Sequence, residues 1–225
     1  MIRFVRAFFA FLIAGVALQE STRGDFALEL TNPGELANPQ LFTLGWEFTV
    51  DETITVTQLG KYLLNNNTTL SQDSSAGIWR VSDAQLLGSV TIPTSAIAVL
   101  DAANQKVVFE SLVTPIVLQP GYTYRIGVEE FGGGDPYGRT NNGMTASALA
   151  ASPIHLGVGV YTQHPVGFAE PESSFGLPGQ NYFGPNMRFT VRSVPEPSSL
   201  VLVSTAAAFG LVAHRRRVGK GNGKC

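Results

Sequence analysis

Cysteine is almost missing from this chain of 225 residues: the single thiol is Cys225. That count excludes an intrachain disulfide and a cysteine metal cage. No cysteine follows the first apolar run, which excludes a lipid anchor attached there. Charge is scarce as well, at 14% of residues against a usual share of about 25%. Residues 25–194 hold 7 Lys/Arg against 15 Asp/Glu. An acidic middle excludes nucleic acid as a partner, because phosphates need a basic patch. Only three histidines occur, with no Gly-x-Ser-x-Gly elbow and no His-Glu-x-x-His pair. Two common signatures of hydrolases are therefore missing. Helical periodicity is nearly absent, and only Ser95 to Ala103 reads as a short helix. No apolar run reaches the roughly 20 residues of a full membrane span.

Two shorter apolar runs stand at the ends. Arg3 and Arg6 precede Ala7 to Leu18, a run of 12 residues. A positive start and an apolar stretch of that length predict a secretory signal peptide within residues 1–24. Ala17 and Gly24 are both candidate last residues of it, since Gly15 and Thr22 stand two places before them. A buried core helix is the competing reading, and the weaker one, because Phe4 to Leu18 is apolar all round. At the other end, Val194-Pro195-Glu196-Pro197-Ser198-Ser199 leads into Leu200 to Ala213, 14 residues that are apolar or small throughout. His214-Arg215-Arg216-Arg217 follows. The two prolines stop any preceding strand or helix and leave an extended segment open to a protease. The apolar run is short for a bilayer. Arg215 to Arg217 would hold its end in the cytoplasm. The expectation is export through the secretion translocon, with an acidic domain outside and a basic tail inside.

This order of motif, short transmembrane helix and basic cluster resembles the PEP-CTERM sorting signal of exported bacterial proteins. The matching residues are Pro195, Glu196 and Pro197, the helix from Leu200 to Ala213, and Arg215 to Arg217, all within residues 194–225. The resemblance implies recognition by an exosortase-type membrane transpeptidase and removal of the helix and tail near the Pro-Glu-Pro. It also implies a bacterium that makes exopolysaccharide, with delivery to the cell surface or extracellular matrix. The stretch after Arg217 is somewhat longer than such tails usually are. A plain C-terminal anchor whose Pro-Glu-Pro is a chance linker is the other reading.

Between the ends, residues 25–193 read as an outer domain of strands. Phe42, Leu44, Trp46, Phe48 and Val50 alternate with polar or small residues, giving one buried and one wet face. The same period holds in Tyr122 to Val128 and Met187 to Val191. Further candidate strands are Ile54 to Leu64, Gly77 to Val81, Leu86 to Ile92, Lys106 to Leu118 and Ile154 to Tyr161. Turn residues separate them, among them Asp51-Glu52, Asn65-Asn66-Asn67, Ser82-Asp83 and Pro120-Gly121. Many short strands with turn signals predict an all-β antiparallel sandwich, jelly-roll-like. Trp46-Glu47-Phe48-Thr49-Val50, Ile54 to Gly60, Ala76-Gly77-Ile78-Trp79, Leu86 to Val90 and Leu118 to Gly127 together resemble a domain of unknown function in secreted bacterial proteins. That resemblance spans Gly45 to Val128, implies a β-sandwich, and carries over no catalytic residue.

Candidate chemistry is thin, and no catalytic residue is assigned. His155 and His164 lie in the outer domain without a recognisable triad. Glu129 and Glu130 are neighbours in a strand, so they point to opposite faces and make a poor acid–base pair. A solvated strand exit is expected there. The best candidate ligand surface is the loop Phe131 to Gly143, with Asp135, Tyr137, Arg139 and Asn141. Tyr137 could stack on a sugar ring, and Asp135 with Glu129 or Glu130 could hold Ca²⁺. The loop also reads as a plain flexible connection, which the missing calcium-loop spacing favours. Asn66 and Asn67 begin glycosylation-type triplets that mark an exposed turn. Three functions follow in order: a non-enzymatic surface or matrix protein, an exopolysaccharide-binding module, and a hydrolase with an unrecognised site. An aromatic-lined groove would favour the second, and a buried cluster of carboxylates the third.

Overall fold

Period-2 alternation gives two large antiparallel sheets their inward faces. A computed structural model describes residues 25–37, 41–130, 134–139, 147–163, 167–174 and 182–191. These fall in one unit, Met1–Val191, with Arg192–Cys225 forming a second. The predicted signal peptide, Pro195 to Pro197, Leu200 to Ala213 and Arg215 to Arg217 lie outside the described residues. Among the described residues there is no helix, and hence none long and apolar enough to cross a membrane.

The strands follow in chain order: β1 (Asp25–Phe26), β2 (Leu28–Asn32), β3 (Glu35–Ala37), β4 (Phe42–Val50), β5 (Ile54–Leu63), β6 (Ser74–Arg80), β7 (Gln85–Ile92) and β8 (Ala98–Leu100). Then come β9 (Lys106–Leu118), β10 (Tyr124–Glu130), β11 (Tyr137–Arg139), β12 (Ser147–Ala150), β13 (Ile154–Gln163), β14 (Ser173–Ser174), β15 (Tyr182–Phe183) and β16 (Pro185–Val191). One sheet has the order β1-β16-β5-β9-β8 and the other β14-β13-β4-β10-β6-β7. Two small sheets, β15-β11-β3 and β12-β2, complete the set. The result is all-β and sandwich-like.

The core lies between the two large sheets. Trp46, Phe48, Ile78 and Ile126 from one meet Val56, Leu59, Met187 and Phe189 from the other, all buried. The Trp46 indole N–H donates to the Pro185 carbonyl at 3.2 Å, joining β4 to β16 across that core. In β5 the buried phase moves from Ile54 and Val56 to Leu59, because a bulge at Thr57 slips the register on both sides.

Glycines thin the middle of the second sheet. Gly127 of β10 stands opposite Gly45 of β4 and Gly77 of β6. A Cβ on Gly127 would come within 3.1 Å of Pro171, and one on Gly77 within 3.0 Å of Phe168. The bare backbone makes room for the segment Phe168–Pro171, whose Glu170 meets Arg125 at 3.0 Å.

Ser95 to Ala103 is not a helix. Ala98–Leu100 pairs with Val108–Lys106 of β9, and a turn with Asn104 at φ 62° closes that hairpin. Pairing with a neighbouring strand outweighs a weak local helical preference. Asn65 and Asn66, at φ 58° and 62°, form an exposed turn closed by the Asn67 N–H on the Leu64 carbonyl at 3.2 Å. Two successive left-handed residues suit asparagine, whose short side chain tolerates that region.

Candidate functional site

Of the predicted loop Phe131 to Gly143, residues 134–139 are described, and in that part Asp135 and Tyr137 turn inward. Asp135 is buried, and both its oxygens accept hydrogen bonds from Ser71: the N–H at 2.9 and 3.0 Å and the hydroxyl at 2.6 Å. The Tyr137 ring is buried against Tyr182 and Leu44, with ring centroids 5.3 Å apart for the tyrosine pair. A ring packed edge-on inside the fold offers no free face to a sugar. Arg139 enters β11, paired with Tyr182 of β15. Asn141 and His164 lie outside the described residues.

The pair Glu129–Glu130 is a correction of larger consequence. Both residues are buried rather than solvated. Glu130 ends β10, and its Oε2 lies 2.9 Å from Nζ of Lys61 in β5, with only 1% and 2% of the two side chains exposed. The same ammonium donates to the Glu129 carbonyl at 3.2 Å. That carbonyl also accepts the Ser74 hydroxyl at 2.8 Å. Oε1 of Glu130 is buried without a hydrogen-bond partner. Burial pushes the Glu130 carboxyl up to about 7; Lys61 pulls it partly back, and the nearby Asp135 charge adds to the rise. The predicted Ca²⁺ set does not fit this geometry. A lysine ammonium already stands at Glu130, Asp135 is spent on Ser71, and among the described residues no group of three or more His, Cys, Asp or Glu gathers.

A second buried polar network binds β2 to the main body. The Tyr62 hydroxyl contacts Asp101 Oδ2 at 3.0 Å and the Leu28 carbonyl at 2.8 Å. Asn186 Nδ2 donates to the same hydroxyl at 3.0 Å and to the Leu28 carbonyl at 2.9 Å. Asp101 also accepts the N–H groups of Leu30 and Gln105. Burial, and then the Asp101 charge, hold the Tyr62 phenol well above its ordinary pKa, so it stays a donor.

Buried acids are thus present: Asp101, Asp135 and Oε2 of Glu130 accept from internal donors, while Oε1 of Glu130 has none. His155 meets Asp51 at 2.5 Å on the surface, with both side chains more than half exposed. A shallow depression is lined by Leu36, Leu63, Asn65, Asn66, Asn104 and Lys106, among others, and by no aromatic residue. Tyr122 is a half-exposed ring, with the Arg80 guanidinium 5.6 Å from its centroid.

Sequence reasoning missed Lys61 and Tyr62 altogether. The available signal is the run Leu59-Gly60-Lys61-Tyr62-Leu63-Leu64, apolar on both faces of a strand, in which a lysine is forced inward. No family model and no curated protein matches the chain, so the two resemblances stand on their own residues.

Proposed function

We propose that this chain is an exported bacterial surface or extracellular-matrix protein with a structural or interaction role rather than an enzymatic one. Its outer domain is a jelly-roll-like sandwich, delivered by the secretion translocon and sorted through a PEP-CTERM tail by an exosortase-type transpeptidase. One observation carries the reading: the last strand ends at Val191, and the three-part tail begins at Val194. A cut near Pro195–Pro197 therefore removes no residue of the described sheets. The acidic excess of residues 25–194 and the basic ends agree with an outer domain beyond the inner membrane. The commitment of Glu130, Asp135 and Asp101 to internal partners supports a structural role.

Protease added to spheroplasts tests the topology. In cells lacking the sorting enzyme, residues 25–194 are digested while a C-terminal tag is spared. A protected outer domain would refute export.

Saccharide binding is the second reading. The depression is lined by Asn65, Asn66 and Asn104 together with Leu36 and Leu63, amides and aliphatic carbons of the kind that suit a sugar's hydroxyls and C–H face. A binding screen of the exported protein against neutral and uronic polysaccharides tests it. Binding that survives Asn66→Gly and Asn104→Gly, which keep the left-handed turns, would remove this site from the reading.

A further inference from the structure

We propose that Lys61 and Glu130 condense into an intramolecular isopeptide bond that ties the two large sheets together covalently. The inference rests on the buried cluster alone and stands or falls separately from the sorting tail.

Three features set this pair apart from an ordinary ion pair. The first is placement. Nζ and Oε2 are 2.9 Å apart, and the pair joins β5 of one sheet to β10 of the other. The Glu129 carbonyl holds the amine from a second direction. An amine held against the carboxyl group it would attack turns a bimolecular step into a unimolecular one, with effective molarities on the order of 10⁵–10⁸ M for well-oriented pairs. The second is incomplete satisfaction. A buried ion pair survives its desolvation cost only when the remaining lone pairs are bonded, yet Oε1 of Glu130 has no partner. The bare Gly184 faces it: a Cβ there would meet Oε1 at 3.1 Å and the Val128 side chain at 3.2 Å. The third is the charge environment. The titratable groups around the pair are Glu129 on the same strand, Asp135 after it and Tyr137 in β11. The Asp135 charge disfavours a second carboxylate, and so favours the neutral acid at Glu130.

The step balances without a co-reactant. A proton passes from Nζ to Oε2, turning ammonium and carboxylate into amine and acid. The Nζ lone pair attacks Cδ and the N–C bond forms. The C–O bond then breaks, and that oxygen leaves as water with two of the three ammonium protons. The third stays on the amide nitrogen. Two buried charges disappear, and with water excluded from the core the reverse hydrolysis lacks its nucleophile. A chain that can form no intrachain disulfide thereby gains a covalent link between its sheets.

Peptide mass spectrometry of the full chain, isolated from the exporting host and digested with trypsin after denaturation, tests this directly. The expected product is a branched species in which the peptide running through an uncut Lys61 to Arg80 is joined to Ile126–Arg139. It is one water lighter than the sum of its arms. Lys61→Met and Glu130→Ala should abolish the species, and Asp135→Asn should lower its share several-fold. Free Tyr62–Arg80 and free Ile126–Arg139, with no branched species, would overturn the proposal and leave an ion pair only. A branched species carrying the substituted arm in Lys61→Met, joined to Ile126–Arg139, would overturn the assignment to this lysine.

Discussion

Tyr62→Phe is the sharpest probe of how the outer domain is held together. The strand β2 pairs only with β12 among the described residues; past the Ala27 N–H on the Met187 carbonyl, where β1 leaves β16, its ties to the main body run through side chains. The Tyr62 hydroxyl sits at the centre of that attachment, between Asp101, Asn186 and the Leu28 carbonyl. Removing it strips one hydrogen bond to a charged acceptor, an effect of about 1.5–3 kcal/mol. The neighbours keep most of their bonds: Asp101 Oδ2 keeps the Leu30 N–H at 3.0 Å and Asn186 keeps the Leu28 carbonyl at 2.9 Å, and one Asn186 amide N–H loses its acceptor. The net loss should therefore be about 2 kcal/mol, or roughly 4–8 °C in Tm for a domain of this size. Asp101→Ala should cost more, about 3–5 kcal/mol, because it leaves buried donors without an acceptor. Urea unfolding of the purified protein reads both, as a fall in midpoint without a change in slope. A Tyr62→Phe midpoint indistinguishable from the parent, or as low as that of Asp101→Ala, would refute the reasoning.

Lys61→Met leaves Glu130 buried without its counter-charge, and stability at pH 8 should fall by about 3–5 kcal/mol. Without Lys61 the folded pKa of Glu130 lies above about 7, against an ordinary 4.5. Its contribution is full below pH 4.5 and is lost as pH rises through the folded value. The variant should therefore be more stable at pH 5 than at pH 8, and the opposite order in thermal melts would refute the burial argument. Adding Glu130→Leu to Lys61→Met should restore the part of the loss that comes from the unpaired carboxylate, but not the covalent link, so its urea midpoint should lie between those of Lys61→Met and the parent. Gly45→Ala would set a Cβ against the Ile126 carbonyl; the expected result is failure to accumulate folded protein, and a parental Tm would contradict the close approach of β4 and β10. Because Ser71 and Lys61 occupy the acids of the predicted calcium site, chelator and reductant should leave the Tm unchanged. A drop in chelator alone would reopen Asp135 as a ligand.

The long strands were legible because each has one face in the core. Phe42–Val50 and Lys106–Leu118 match their predicted limits, and β5, β7 and β13 lie within one or two residues of theirs. The short strands were not legible: two to five residues, as in β1, β11 and β15, carry no measurable period. The candidate loop misled for a related reason. Gly, Asp and Tyr read as an exposed turn, but Asp135 and Tyr137 are drawn inward by Ser71 and Tyr182, partners distant in sequence. The burial of Lys61 and Glu130 depends on the packing of two sheets, which local alternation does not encode. Glu129 and Glu130 are both buried, so the inference that one of two adjacent strand residues must face water fails.

The most direct test of the central claim is the intact mass of the surface-extracted protein, with the exosortase present and then absent. With the enzyme, the mature chain should end near Pro197, and Glu196→Ala should leave a longer, membrane-retained form. Without it, the chain should keep its C-terminal apolar run and basic tail. A permanent anchor of 14 residues, Leu200 to Ala213, would span only about 21 Å at 1.5 Å per residue, against a hydrocarbon core of roughly 30 Å. A transient substrate tolerates that mismatch better than a lasting anchor. A mature chain that retains Arg215 to Cys225 in both hosts would contradict sorting and leave the tail a plain anchor.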